Sequence, residues 1–183
     1  MKAKVAFVLT VSTALALTAG AAHAEGVAPD SVSLEYGTGN DTRIARAGMQ
    51  WDWDRTWFDS NGTHVGGYWD LTLAQWQGRA WDGIDGHDHN DTDIGITPVF
   101  RFENDSKVGW YSELGIGAHL MTSIYDNNHR DFSTAFQFGD HIGVGYETKN
   151  WSVGIKLQHF SNGGIKHPNP GANFAVFGVD FKL

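Results

Sequence analysis

From residue 32 to residue 183 the chain keeps returning to a period of two, with large apolar side chains on one parity and mostly glycine on the other. Residues on a strand alternate faces, so this pattern assigns each segment an apolar face and a small, polar one. In 110–120, Trp110, Leu114, Ile116, Ala118 and Leu120 share one parity, against Tyr111, Glu113, Gly115, Gly117 and His119. In 136–147, Phe136, Phe138, Ile142, Val144 and Tyr146 oppose Gln137, Gly139, His141, Gly143 and Gly145. Segments 93–103 and 45–53 read the same way, 151–161 clearly, and 32–36, 68–76 and 174–183 more weakly. That makes eight strands. Glycine with isolated charges such as Arg46, Arg101, Glu113 and Lys156 suits the narrow interior of an eight-stranded barrel. Bulky apolar residues with terminal tryptophans suit a lipid-facing band with aromatic girdles. Turned inward, as a soluble barrel requires, the same tryptophans would overfill the interior. The expected fold is therefore all-β, an eight-stranded antiparallel transmembrane β-barrel.

The connections alternate in length. Those at 104–107 and 148–150 are short, and those at 77–90, 123–133 and 162–172 are longer. Bacterial outer-membrane barrels keep short turns on the periplasmic side and long loops outside. Residues 1–24 read as a cleaved export signal: Lys2 and Lys4, an apolar stretch over 5–17, and Ala22-His23-Ala24 as cleavage site. Residues 25–183 then form the barrel, in the outer membrane of a bacterium. The 21 acidic residues outnumber 13 basic ones, which argues against a nucleic-acid binder. With no cysteine there is no disulfide framework and no thiolate chemistry.

The strand 151–161 ends in chemistry. Trp151, Val153, Ile155 and Leu157 occupy its apolar parity, and His159 and Ser161 continue it. A base and a hydroxyl thus share the lipid-facing surface near the outer leaflet, where a polar pair is expensive without a reason. The Asn162-Gly163-Gly164 turn that follows offers backbone N–H groups and an amide beside the hydroxyl. Such a pair suits a serine esterase acting on a lipid that is still in its membrane.

The segment His159-Phe160-Ser161-Asn162-Gly163-Gly164-Ile165-Lys166-His167-Pro168-Asn169-Pro170-Gly171 resembles the signature of the lipid A 3-O-deacylase family. Trp51-Asp52-Trp53-Asp54, Gly67-Tyr68-Trp69-Asp70 and Asp140-His141-Ile142-Gly143 are similar to further stretches of that family. The resemblance implies an eight-stranded outer-membrane barrel with an exterior site that removes the 3-O-linked acyl chain of lipid A, without metal or cofactor. It implies Ser161 as nucleophile, His159 as base, and Asn162 and Asn169 in the oxyanion region. Lipopolysaccharide and outer-membrane lipid are then the partners, and oligomeric state stays open. The family's third triad member is a glutamate, and the matching position here is Asn173. Asparagine can orient an imidazole but carries no charge; in a serine protease triad, aspartate to asparagine costs about 10⁴ in kcat. If the turn at 148–151 pairs Thr148 with Trp151, Asp140 falls opposite His159 and offers a carboxylate.

Other features read as structural. The tract 86–91, rich in His and Asp, reads as a solvated loop rather than a metal site; His119, His141 and Glu113 read as an interior network; Trp51, Trp53 and Trp57 read as an interfacial belt. Two other functions stay open: an outer-leaflet phospholipase or acyltransferase using the same pair, and a non-catalytic structural or host-interaction barrel.

Overall fold

The computed structural model describes residues 28–128 and 130–183, so the export-signal reading of 1–24 lies outside the described residues. Among the described residues, nine antiparallel strands run β1 Ser31–Gly39, β2 Thr42–Asp52, β3 Trp57–Ser60, β4 Thr63–Gly78, β5 His89–Asn104, β6 Gly109–Met121, β7 Phe136–Glu147, β8 Trp151–Ser161 and β9 Ala172–Lys182. Strand β2 pairs directly with β4, from Thr42 opposite Gly78 to Asp52 opposite Tyr68. Strand β9 returns to β1, with Lys182 opposite Ser31 and Ala175 opposite Thr38. Eight strands therefore close the barrel with no free edge, as lipid requires of backbone polar groups. The ninth, β3, is a short addition paired only to the start of β4. There Trp53 meets Trp57, Trp69 and Phe100 edge-on, with centroids 5.0–6.2 Å apart for Trp69 and Phe100 and 5.8 Å for Trp57.

The alternation lands as expected. Ile116, Ile142 and Ile155 are each 62% exposed on the outside, while Glu113, His141 and Ser152 are buried within. Strands β4 and β5 are longer than their alternation suggests, because all sixteen residues of each stay paired, from Thr63 opposite Asn104 to Gly78 opposite His89. Their far ends leave the apolar band, so hydrophobic period two no longer marks them.

The interior is divided lengthwise. Towards the short turns it is ionic. Arg46 Nη1 donates to Glu35 (2.8 Å) and Gln158 (2.8 Å), and Lys156 Nζ lies 2.5 Å from Glu35. Arg101 bridges Glu113 (3.0 Å) and Glu147 (2.7 Å) and lies 3.9 Å from the Tyr111 ring centroid. Towards the long loops the same inward parity carries an aromatic plug. Trp76 stacks edge-on against Phe160 (4.8 Å), Phe174 (5.0 Å) and Tyr125 (5.4 Å). All four rings are buried. Glycine and single charges on the inward parity predict the ionic half; the plug is an addition, made by inward aromatics at the loop ends of otherwise small-residue faces.

Candidate active site

Strands β8 and β9 bring the predicted residues to one spot on the outer surface, at the long-loop end. Their register sets His159 opposite Asn173 and Phe160 opposite Ala172. The imidazole Nδ1 lies 2.7 Å from Asn173 Oδ1. With the asparagine oxygen accepting, Nδ1 carries the proton and Nε2 is left with a free lone pair. Asn173 is itself held through its backbone N–H, which donates to Asn40 Oδ1 in the β1–β2 turn (2.7 Å). The adjoining Cε1–Nε2 edge of the ring lies against Gly171, whose φ is +66° and whose added Cβ would stand 2.5 Å from His159 Cε1 and 3.0 Å from Nε2. Glycine there satisfies both the left-handed backbone and the close approach.

Ser161 shares the outward face with His159 and lies opposite Phe138 in the β7–β8 register. Both are half-buried. No hydrogen bond joins Ser161 Oγ to the imidazole among the described residues. Residues two apart on one strand face remain neighbours, and a substrate-free geometry does not by itself exclude a nucleophile–base pair.

The two asparagines of the expected oxyanion region have separate situations. The Asn162 side chain is fully buried. Its Nδ2 donates to Ser133 Oγ (3.0 Å) and Lys166 O (2.8 Å), and its Oδ1 accepts Gly164 N–H (2.9 Å). That amide is consumed in shaping loop 162–171. Asn169 is half-buried, and its Oδ1 accepts the Asn162 backbone N–H (3.0 Å), which fixes the amide's orientation. Its Nδ2 makes no hydrogen bond among the described residues.

Residues with no signal in the alternation hold this loop in place. From the β6–β7 loop, Ser133 Oγ donates to Lys166 O (2.9 Å) and Arg130 Nη1 donates to Gly171 O (3.1 Å). Fully buried Asn127 ties three long-loop-end segments together: its Nδ2 donates to Asn40 O (2.9 Å), and its Oδ1 accepts Ala80 N–H (2.7 Å). These are non-local contacts between loops, which only closure of the barrel creates.

In the tract 86–91, residues 86–88 and 90 are exposed as a solvated loop would be, while His89 to Asp91 open strand β5. Asp91 is buried and accepts from Thr122 Oγ1 (2.7 Å) and Ser123 N–H (2.9 Å), bracing two long loops. In the same loops Asp126 is pushed up to about 6 by burial, by hydrogen bonds with Asp82 and Asp131, and by their negative charge.

Asp140 sits directly opposite His159, the Thr148–Trp151 turn having closed with a 2.8 Å bond from Thr148 N–H to Trp151 O. It lines one outward groove with Ile116, Ile142, Leu157, His159 and Asn173. Its carboxylate makes no hydrogen bond to the imidazole, whose Nδ1 belongs to Asn173. A second apolar groove, past Leu157, Ala175, Ile155 and Phe177, continues down the barrel wall towards mid-membrane.

The family model described as Lipid A 3-O-deacylase (PagL) matches residues 43–182, which is most of the chain. The chain belongs to the PagL family. A lipid A deacylase PagL of Pseudomonas aeruginosa is 33% identical over 153 residues, covering 81% of this chain and 84% of that one. Another, of Bordetella bronchiseptica, is 36% identical over 168 residues, covering 86% and 85%. The crystal structure of the outer membrane enzyme PagL matches with a TM-score of 0.73 at 26% identity, over 84% of this chain and 99% of that one. The N-terminal barrel of Pseudomonas aeruginosa OprF, at 14% identity and a TM-score of 0.51, shares the fold alone. As a PagL-family protein the chain is an enzyme of the Gram-negative outer membrane. Its long loops, by the rule for such barrels, face outward from the cell.

Proposed function

We propose that this protein removes the 3-O-linked acyl chain of lipid A in the outer leaflet, by serine-type ester hydrolysis. The observation that carries the reading is the His159–Asn173 pair, held on the lipid-facing wall two residues from Ser161. His159 Nε2 takes the Ser161 proton as Oγ attacks the acyl carbonyl carbon. The ester C–O bond then breaks, and the sugar hydroxyl leaves with the proton from Nε2. Water, deprotonated by the same nitrogen, releases the fatty acid from Ser161. Asn169 Nδ2 is the side-chain donor with spare capacity for the oxyanion, and removal of one such donor typically costs 10²–10³ in kcat. Asn162 acts behind it, by shaping the loop. The apolar groove below His159 gives the scissile chain a path along the barrel wall while the headgroup stays among the loops.

The test uses the barrel refolded in detergent with purified hexa-acylated lipid A, followed by mass spectrometry. Wild type is expected to release one 3-hydroxyacyl chain from the 3-position and Ser161→Ala to release none. Release from another position, or equal release by both proteins, overturns the reading.

A further inference from the structure

A triad carboxylate does two jobs: it orients the imidazole, and it stabilises the positive charge that appears when the imidazole takes the nucleophile's proton. Asn173 does the first, through its 2.7 Å contact with Nδ1. Being neutral, it cannot do the second. Among the described residues of the outward groove that holds His159, Asp140 carries the one negative charge. The outward parity of β7 is Phe136, Phe138, Asp140, Ile142, Val144 and Tyr146, apolar except at Asp140. A carboxylate on a lipid-facing strand is costly, and this one stands at the position registered opposite His159.

Directly opposed residues of an antiparallel pair have Cβ atoms about 4.5–5.5 Å apart, close enough for a carboxylate to act on an imidazolium without a hydrogen bond. Among the described residues lining the groove with His159, Asp140 is the one acid, and Asp41 of the β1–β2 turn is engaged by Asn128 Nδ2 (2.7 Å). Strand β6 contributes Leu114 and Ile116, and β9 contributes Asn173 and Ala175. The interior carboxylates Glu35 and Glu113 lie on the other side of the wall, engaged with Arg46, Lys156 and Arg101. Among the loops, Arg130 is a cation, and it is held on the Gly171 carbonyl behind the ring.

We propose that this chain divides the work of the triad acid between two strands, with Asn173 orienting His159 and Asp140 supplying the negative charge from across the β7–β8 pair. Asp140 is thereby a positioning residue, acting through His159. The proton passes from Ser161 Oγ to Nε2 and on to the leaving hydroxyl, and Asp140 takes no part in that transfer. This rests on the serine-hydrolase reading above and deepens it.

The experiment measures kcat and KM on lipid A for wild type, Asp140→Asn, Asn173→Glu and the double variant. In parallel it follows the rate at which a fluorophosphonate labels Ser161. Asp140→Asn is nearly isosteric, and retained heat-modifiable gel mobility shows the barrel closed. Expected is a fall of about tenfold or more in kcat and in labelling rate, with KM unchanged, because the charge acts only as the proton moves. Asn173→Glu in that background is expected to restore both, since a charge at either position serves. Unchanged kcat and labelling in Asp140→Asn overturn the proposal, as does a loss that Asn173→Glu fails to repair, which marks Asp140 as structural. Labelling that depends on Asp140 without lipid A turnover would retain the division of labour and remove lipid A as the substrate. A Ser161 that does not label in wild type would overturn the proposal and the serine mechanism together.

Discussion

Gly171 sets the geometry of the imidazole as firmly as Asn173 does. Nδ1 is hydrogen-bonded to Asn173, and the adjoining Cε1–Nε2 edge meets the Gly171 backbone with no room for a methyl group. Any L-residue at 171 faces a left-handed φ of +66° and a Cβ 2.5 Å from His159 Cε1. Gly171→Ala is therefore expected to displace the ring and lower the deacylation rate by about 10²-fold, the usual effect of misplacing a catalytic group by about 1 Å. The backbone strain should cost only ~1–3 kcal/mol, leaving the barrel folded. Rate measurement with thermal unfolding of the same samples checks this; a full-rate enzyme would show that the ring does not rest on Gly171. His159, Ser161 and Asn173 are all legible from strand parity, because period two places them on one face before any tertiary contact forms. Arg130 and Ser133 are not, since each acts through a carbonyl of a loop distant in sequence.

Among the elements, the aromatic plug is what separates this interior from a uniformly polar lumen. Trp76 on β4 reaches across to Phe160 on β8 and Phe174 on β9, the two strands that carry the site. Phe160 lies between His159 and Ser161 in sequence and is buried in the plug while they lie on the outward face, so the plug anchors the strand at the site. Trp76→Ala removes a ring that is 0% exposed. The expected cost is ~3–5 kcal/mol, with activity reduced although Trp76 itself points away from the lipid-facing site. Urea unfolding in detergent together with the deacylation assay tests this, and unchanged stability would mean the plug is not packed as described. The parity of Trp76, Phe160 and Phe174 is legible in the sequence. Their meeting is not, because it joins strands that are neighbours only after the barrel closes.

For the whole molecule, the outside of the barrel is a solvent-matching surface. Ile155 and Leu157 on β8 are 62% and 67% exposed, which is stable only against hydrocarbon. Ile155→Lys places a charge on that wall, and a cation near the bilayer midplane costs ~2–4 kcal/mol in such barrels. The variant is expected to fold less stably into lipid vesicles than wild type, read as a lower urea midpoint. An equal midpoint would place Ile155 outside the hydrocarbon. The same surface suits the proposed function, which puts the site on the wall because the acyl chains are there.

Sequence alone determined the strand count of the barrel, which parity faces lipid, which end carries the long loops, and the shared face of His159, Ser161 and Asn173. All of these follow from the two-residue period of a strand and from the length of the connections, which are local properties. The short strand β3, the plug, and the separation of Asn162 from Asn169 into a buried loop brace and a half-buried amide were decided by the tertiary structure alone. Asp140 stands between the two. Its parity is local, but its place opposite His159 depends on a register that one tight turn sets, and a slip of two residues would have carried the carboxylate away from the imidazole.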